Sequence, residues 1–127
     1  MKNSLLAIFF VVAFITSGCP EDAAVEPKLG TLPAVDTDIT STSVILKGEI
    51  LILGNTNIIE YGIEISKSMI FTPAQRKGIT TTPVKGVYQI AFTGLDPNTT
   101  YYYKAYVLIN TANVYSPGYA QFKTKPL

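Results

Sequence analysis

The 127-residue chain contains no histidine, no tryptophan and a single cysteine, Cys19. Without histidine, neither a Ser-His-Asp nor a Cys-His catalytic arrangement can form. A zinc site built from cysteines and histidines is excluded as well, and a disulfide within the chain would need a second cysteine. These absences remove the commonest hydrolytic and metal-binding chemistries, and they make the position of Cys19 the feature to explain.

Charge is also scarce. Charged residues make up 15% of the chain, against about 25% in average soluble domains. Ten Lys+Arg and nine Asp+Glu leave a formal net charge of +1. No strongly basic surface therefore favours a nucleic-acid partner, and no nucleic acid is expected.

The N-terminus has the order of a signal peptide. Lys2 precedes an uninterrupted apolar run from Leu5 to Ile15, and the small residues Thr16, Ser17 and Gly18 follow that run. As a helix the run would span about 16 Å, well short of the roughly 30 Å hydrocarbon core of a bilayer. A permanent transmembrane helix is therefore disfavoured.

The tetrapeptide Thr16-Ser17-Gly18-Cys19 resembles the lipobox of bacterial lipoproteins, where the signal peptide is cut just before the cysteine. The family usually has Leu, Val or Ile where this chain has Thr16. The resemblance implies removal of residues 1–18, acyl groups such as palmitate on Cys19, and a membrane as partner through that lipid. It implies a protein anchored to the outer membrane that faces the periplasm or the cell surface. The alternative is an ordinary signal peptide cut near Gly18, with a cysteine there by chance.

Residues 19–31 are predicted to be the lipidated cysteine and a flexible tether. Ala23 to Gly30 contains Pro27 and Gly30 and has no periodic pattern. Pro20-Glu21-Asp22 resembles the surface-export signal of Bacteroidota lipoproteins, and it is equally compatible with the solvated start of a tether.

Residues 32–127 are predicted to form one all-β domain. Apolar residues recur there at period two rather than 3.6, and β-branched and aromatic residues dominate. In the stretch from Ile58 to Ile65 the alternation directs Ile59 to the core, and Glu60 and Glu64 to water. The predicted strands are Leu32–Val35, Ser43–Leu53, Ile58–Ile65, a pair formed by Gln75–Thr82 with Val87–Thr93, Tyr101–Asn110 and Tyr119–Thr124, with a further short edge strand in Ser66–Thr72.

The most specific pattern lies between Gly94 and Val107. Leu95, Pro97, Thr99 and Tyr101 fall on alternate positions, which resembles the Leu-x-Pro-x-Thr-x-Tyr corner of fibronectin type III domains. The resemblance implies an immunoglobulin-like β-sandwich of about seven strands. It also implies that the Tyr101 ring is in the core and that its hydroxyl bonds to backbone a few residues upstream. The tryptophan of the animal domains is missing, and a sandwich of different strand order is the alternative.

No catalytic residue, metal site or cofactor is predicted. Glu60 and Glu64 share a strand face, but four residues place their backbones about 13 Å apart. Carboxyl pairs in glycosidases lie about 5 to 9.5 Å apart. A carboxylate-dependent hydrolase is thus the disfavoured alternative, and we expect a protein that is not an enzyme.

Tyrosines form the most distinctive surface feature. If Tyr101 faces inward, then Tyr102 and Tyr106 face outward, and Tyr115 and Tyr119 fall on an adjoining strand. Such a stripe is suited to stacking on sugar rings or to contact with an envelope protein. Cross-strand pairs that merely stabilise the sheet are the simpler interpretation. The sequence therefore predicts a noncatalytic envelope lipoprotein that serves as a binding or spacer module. A carbohydrate-binding accessory protein is an alternative, and the oligomeric state stays open.

Overall fold

The computed structural model describes Gly18 and residues 23–110 and 112–127, which form eight β-strands and one short 3₁₀ helix, Asp36–Asp38. The rest of the predicted signal peptide and Cys19 lie outside the described residues. No helix within the described ranges is long and apolar enough to cross a membrane. The strands are β1 (Lys28–Thr31), β2 (Val44–Ile52), β3 (Ile58–Ser66), β4 (Gln75–Ile79), β5 (Gly86–Phe92), β6 (Thr100–Ile109), β7 (Ala112–Tyr115) and β8 (Ala120–Lys123).

The strands form two antiparallel sheets that pack face to face. One sheet has three strands in the order β1-β2-β5. The other has five strands: β4, β3, β6 and β7 follow one another, and β8 pairs with the N-terminal part of β6. This is the immunoglobulin-like β-sandwich that the sequence predicted.

The core lies between the sheets, where the inward residues of the facing strands meet. Val44, Leu46 and Ile50 of β2 are all buried, as their alternation predicted. Each such side chain contributes about 1.5–3 kcal/mol by leaving water. The other buried members of the core are Leu29, Tyr61, Ile63, Ile65, Ile90, Phe92, Leu95, Tyr101, Tyr103, Ala105, Val107, Ile109 and Phe122.

Tyr88 of β5 ties the two sheets together through the core. Its ring lies over Gly48, where an added Cβ would come within 2.5 Å of the Tyr88 Cζ. It contacts Tyr61 edge to face, and its hydroxyl donates to the Gly62 carbonyl at 2.8 Å. Gly48 is therefore needed for the space it leaves on the inner face of β2.

Strand direction defines two ends of the sandwich. β3 spans nine residues, about 26 Å, from the turn at 53–57 to the loop at 67–74. Residues 23–27 lie at the turn: Val25 N–H donates to Asn55 Oδ1 at 2.7 Å, and Asn55 N–H donates to the Val25 carbonyl at 3.0 Å. We call this the N-terminal end. The loop 67–74 and the corner 93–99 lie at the opposite, distal end, because Ser66 pairs with Tyr102.

The first strand was predicted at the wrong place. A strand was expected at Leu32–Val35 and a tether through residue 31, whereas β1 occupies Lys28–Thr31 and Pro27 is buried. Pairing with β2 decides the outcome, since Leu29 lies opposite Ile50 and fills the core. The pairing with β2 therefore outweighs the local preference of proline and glycine for irregular structure.

The predicted alternation of β3 fails at its start. A β-bulge between Ile58 and Glu60 shifts the register, so Ile58 packs against the core and Ile59 is exposed. Glu60 is half-buried and Glu64 is 7% exposed, so neither carboxylate is simply solvated as the alternation predicted.

Three further expectations are corrected. The strands predicted to pair around residues 83–86 exist as β4 and β5, but they belong to different sheets, because β4 pairs with β3 and β5 with β2. Residues 67–74 form a loop rather than an edge strand. The strand expected at 119–124 is preceded by β7, a separate strand on the same edge of β6.

Candidate binding surface

An aromatic cluster covers the outer face of the five-stranded sheet. The register places Tyr106 opposite Tyr115, and Tyr102 contacts Tyr119 edge to face, with ring centroids 5.6 Å apart. All four tyrosines of the predicted stripe therefore lie on one face. We define the outer aromatic face by the side chains of Phe71, Arg76, Tyr102, Lys104, Tyr106, Tyr115 and Tyr119.

Tyr106 is not exposed as the stripe required: its exposed fraction is 0%. The guanidinium of Arg76 covers the ring, with Cζ 4.1 Å from the ring centroid. The Tyr106 hydroxyl donates a short hydrogen bond to Glu60 Oε1. Burial first, and the bond to Glu60 second, raise the pKa of Tyr106 above its usual value. Tyr106 therefore supports the other side chains of the face from beneath and is not available to contact a partner.

Gly78 of β4 makes room for this pair. A Cβ at Gly78 would lie 2.5 Å from both the Tyr106 hydroxyl and the Glu60 carboxylate. An added Cβ would displace the Glu60 or Tyr106 side chain, so the hydrogen bond in its observed geometry depends on glycine at that position.

Arg76 binds four groups on three strands. Its Nη1 donates to Asn113 Oδ1 at 3.0 Å, and its Nη2 donates to the Tyr115 hydroxyl at 2.9 Å. Nη2 also lies 3.4 Å from Glu64 Oε2, and the ring of Tyr106 lies beneath. The planar fork of arginine suits such simultaneous contacts, and it neutralises the buried Glu64. Partial burial is the first cause that raises the pKa of Tyr115.

Lys104 joins the middle of the face to the distal loop. Its Nζ lies 4.2 Å from the ring centroid of Phe71 and 4.1 Å from that of Tyr115. Phe71 in turn packs against Tyr119, whose hydroxyl contacts Met69 Sδ at 3.3 Å. The loop is therefore attached to the sheet by cation–π and aromatic contacts.

The loop itself is ordered by its own hydrogen bonds. Ser66 Oγ donates to the Pro73 carbonyl at 2.6 Å and accepts from the Ser68 N–H at 3.0 Å. Phe71 adopts a positive φ of 55°, which is unusual for a bulky residue. Strain of this kind persists only where the surroundings enforce it, and it is commonest in functional segments.

The tip of this loop exposes large apolar side chains. Met69 is 57% exposed, Ile70 is 79% exposed, and the neighbouring Tyr119 is 49% exposed. None of the three belongs to the core. The three side chains are contiguous, because Met69 contacts Tyr119 and precedes Ile70, and contiguous exposed apolar side chains make the tip a candidate interaction site.

A cleft of about 500 Å³ opens beside the loop. Lys67 and Asp96 form an exposed ion pair at its rim, and the hydrogen bond to Asp96 raises the pKa of Lys67. Its lining consists of Ile65, Ser66, Lys67, Ser68, Pro73, Ala74, Gln75, Gly94, Leu95, Asp96 and Tyr101.

The corner that bounds the cleft is structural. Tyr101 is buried, stacks on Phe122 with centroids 5.5 Å apart, and accepts a hydrogen bond from the Asp96 N–H at 2.9 Å. Leu95 is buried, and its N–H donates to the Thr42 carbonyl. Thr99 Oγ1 donates to the Pro97 carbonyl at 2.8 Å. This is the geometry of a tyrosine corner.

Two predicted features stand apart from this surface. Of the residues before and at the predicted cleavage site, only Gly18 is described, and it is exposed. Thr16, Ser17 and Cys19 lie outside the described residues, so lipidation remains a prediction. Among described residues no three His, Cys, Asp or Glu side chains converge as a metal site. Glu60 and Glu64 are engaged by Tyr106 and Arg76.

Sequence reasoning missed the two residues that organise the face. Arg76 lies on β4, whose neighbour was misassigned, so its contact with Tyr106 could not be inferred. Phe71 lies in a segment without clear periodicity. The available signal was charge: Glu64 on the outer face required a cationic partner once it was buried.

The chain is similar to known proteins in its fold alone. No protein-family model and no curated protein matches the chain. A short version of the sensor domain of the anti-sigma factor RsgI4 from Pseudobacteroides cellulosolvens superimposes with a TM-score of 0.63 at 19% identity, covering 81% of this chain and 98% of that domain.

Two other solved structures extend this likeness. The solution structure of the same sensor domain has a TM-score of 0.63 at 17% identity, covering 80% of this chain and 76% of the other. Astrotactin-2, a vertebrate-specific perforin-like membrane protein involved in neuronal development, gives 0.51 at 17% identity, covering 82% of this chain and 22% of its own. At these identities the likeness establishes the fold.

Proposed function

We propose that the chain is a noncatalytic, lipid-anchored protein of the outer membrane whose sandwich binds a protein partner in the envelope. The observation that carries the binding role is the ordered apolar tip of Met69 and Ile70 beside Tyr119. The tip is supported by the outer aromatic face, so it is held in place before any partner arrives. Such preorganisation lowers the entropic cost of binding.

The chemistry of the surface favours a protein over a glycan. Tyr102 and Tyr119 meet at an interplanar angle of 87°, so they do not offer the coplanar platform on which a sugar ring stacks. Lys104 already occupies the faces of Phe71 and Tyr115. Methionine, tyrosine and arginine are enriched in protein interfaces. Glycan recognition is therefore the alternative outcome of the experiment below.

The fold is compatible with a sensing or binding role. The strand order and the Tyr101 corner support a fibronectin type III kind of sandwich, and the solved domains of similar shape include a sensor domain of an anti-sigma factor. One architecture hosts many functions, so the site carries the proposal and the fold is only consistent with it.

Lipid attachment at Cys19 would orient the binding tip. The described chain enters the sandwich at the N-terminal end, where Val25 bonds to Asn55, and Ile70 lies at the distal end. A module tethered in this way would present Met69 and Ile70 away from the membrane.

The anchor is tested by intact mass and membrane partition of the expressed protein beside Cys19→Ala. The expected mass is that of residues 19–127 plus acyl groups, with membrane association lost in the variant. An unmodified thiol in a protein that does not partition into membranes would contradict the anchor.

The binding surface is tested by affinity capture from envelope extracts and by glycan arrays. The double variant Tyr102→Ala/Tyr119→Ala and the single variant Ile70→Ser should each lose a protein partner that the wild-type protein retains. The matched control is Val87→Ala/Gln89→Ala, two exposed residues on the other sheet. Loss of a glycan signal instead would favour the carbohydrate-binding alternative, and unchanged binding in all variants would contradict the proposed site.

A further inference from the structure

The N-terminal end of the sandwich exposes aliphatic side chains that the core does not use. Ile52 and Ile59 flank the 53–57 turn and are 42% and 44% exposed. Val25, bonded to Asn55 in that turn, is 47% exposed. Val84 is 72% exposed in the loop before β5 and lies at the same end, because Gly86 pairs with Ile50.

The distance from Cys19 to this end is short. Four peptide units join Cys19 to Ala23, which limits the separation of their Cα atoms to about 14 Å in any conformation. The Ala23 carbonyl accepts a hydrogen bond from Asn55 Nδ2 at 3.3 Å, so the chain reaches the sandwich at the 53–57 turn. A lipid on Cys19 would therefore bring the aliphatic end close to the bilayer.

We propose that Val25, Ile52, Ile59 and Val84 form a membrane-contacting surface, which rests on the bilayer that holds the acyl groups of Cys19. This inference rests on the proposed lipid anchor. Apolar side chains of interfacial proteins bury shallowly at the boundary between headgroups and acyl chains. The short reach of the anchor and the aliphatic character of the facing end together select the bilayer as the occupant.

Two exposed lysines suit the same contact. Lys28 lies opposite Ile52 across the strands, and Lys85 follows Val84 in the chain. Lysine stems extend along apolar surface while the ammonium group reaches lipid phosphates. The surface thus combines aliphatic side chains with cations that an anionic headgroup attracts.

The surface can be tested with site-specific fluorophores in the acylated protein. Cys19 is the only cysteine, so after acylation an introduced cysteine is the only free thiol. Labels are placed at Ile59→Cys and Val84→Cys, with Ile70→Cys at the distal end as matched control. The protein is reconstituted in nanodiscs of phosphatidylethanolamine and phosphatidylglycerol. Each label is quenched either by nitroxide lipid or by aqueous iodide.

The labels at 59 and 84 should be quenched several-fold more by nitroxide lipid than the label at 70, with the reverse order for iodide. Equal behaviour of all three labels would overturn the membrane-contacting surface. Intact mass of the same samples separates the failures: a free thiol on Cys19 refutes the anchor, and with it this inference, whereas acylated protein with equal quenching refutes the contact alone. Without any substitution, Lys28 and Lys85 should resist a water-soluble amine reagent in nanodiscs more than in detergent.

Discussion

The outer faces of the two sheets differ in how far their side chains are buried. On the three-stranded sheet, Ile45 and Gln89 are exposed, and Lys47 makes one loose ion pair with Asp38 at 3.8 Å. On the five-stranded sheet, Tyr106 is fully covered and Glu64 nearly so. The first face is an ordinary solvated surface, whereas the second carries another packed layer. A sandwich does not need that layer for its core, so we interpret it as the support of the distal binding tip.

The largest expected effect on the free energy of unfolding comes from a glycine-to-alanine substitution, and its size should differ between the two sheets. At Gly62 in β3 a Cβ would overlap the Lys77 carbonyl oxygen, whereas at Gly30 in β1 the nearest atoms are 3.9 Å away. Gly62→Ala should lower the free energy of unfolding by about 3 kcal/mol, because backbone cannot move aside cheaply. Gly30→Ala should change it by less than about 1 kcal/mol. Urea denaturation measures both, and equal losses would contradict the difference between the backbone contacts of the two glycines.

Removing a cation should also distinguish the two faces. Arg76→Ala leaves the buried Glu64 without its partner, and we expect a loss of about 2 kcal/mol. Lys47→Ala breaks only a loose, partly exposed pair and should cost about 0.5 kcal/mol or less. Chemical denaturation in low and high salt provides the measurement. A loss at Arg76 no larger than that at Lys47 would mean that the packed layer contributes little.

Alkaline pH should destabilise the protein through its buried phenols. The pKa of Tyr106 is raised in the folded state, so above about pH 10 the unfolded chain releases a proton that the folded chain retains. Stability is therefore fully present below pH 10 and falls by up to about 1.4 kcal/mol per pH unit and per such tyrosine above it. Tyr106→Phe should flatten this dependence in a urea denaturation series, and an unchanged dependence would contradict the role of Tyr106.

A small effect on stability is expected where the outer aromatic face meets the binding tip. Tyr102→Ala/Tyr119→Ala removes partly exposed aromatic contacts, so the free energy of unfolding should fall by about 1 kcal/mol, while partner binding is lost. A thermal melt beside a binding assay separates the two quantities. A large loss of stability would assign these tyrosines to sheet pairing, which is the simpler interpretation of the stripe.

The sequence predicted those features that depend on the residues of a single strand or turn. The inward residues of β2 and β6 follow from period two, and the corner at Tyr101 follows from a local motif. It failed where a residue's neighbour on another strand decides the outcome. The bulge beside Ile59 needed the register with β6, and the burial of Tyr106 needed Arg76 from an edge strand. The surface was therefore found in part, and its organisation was not.

If the tip supported by the outer aromatic face is the binding surface, a protein partner in the envelope should lie next to Ile70. The most direct measurement is site-specific photo-crosslinking in the native envelope, with a photoreactive amino acid at Ile70 or, for comparison, at Gln89 on the other sheet. We expect one discrete protein adduct at position 70, absent at position 89 and lost in Tyr102→Ala/Tyr119→Ala. The same adduct at both positions, or none at position 70, would contradict it.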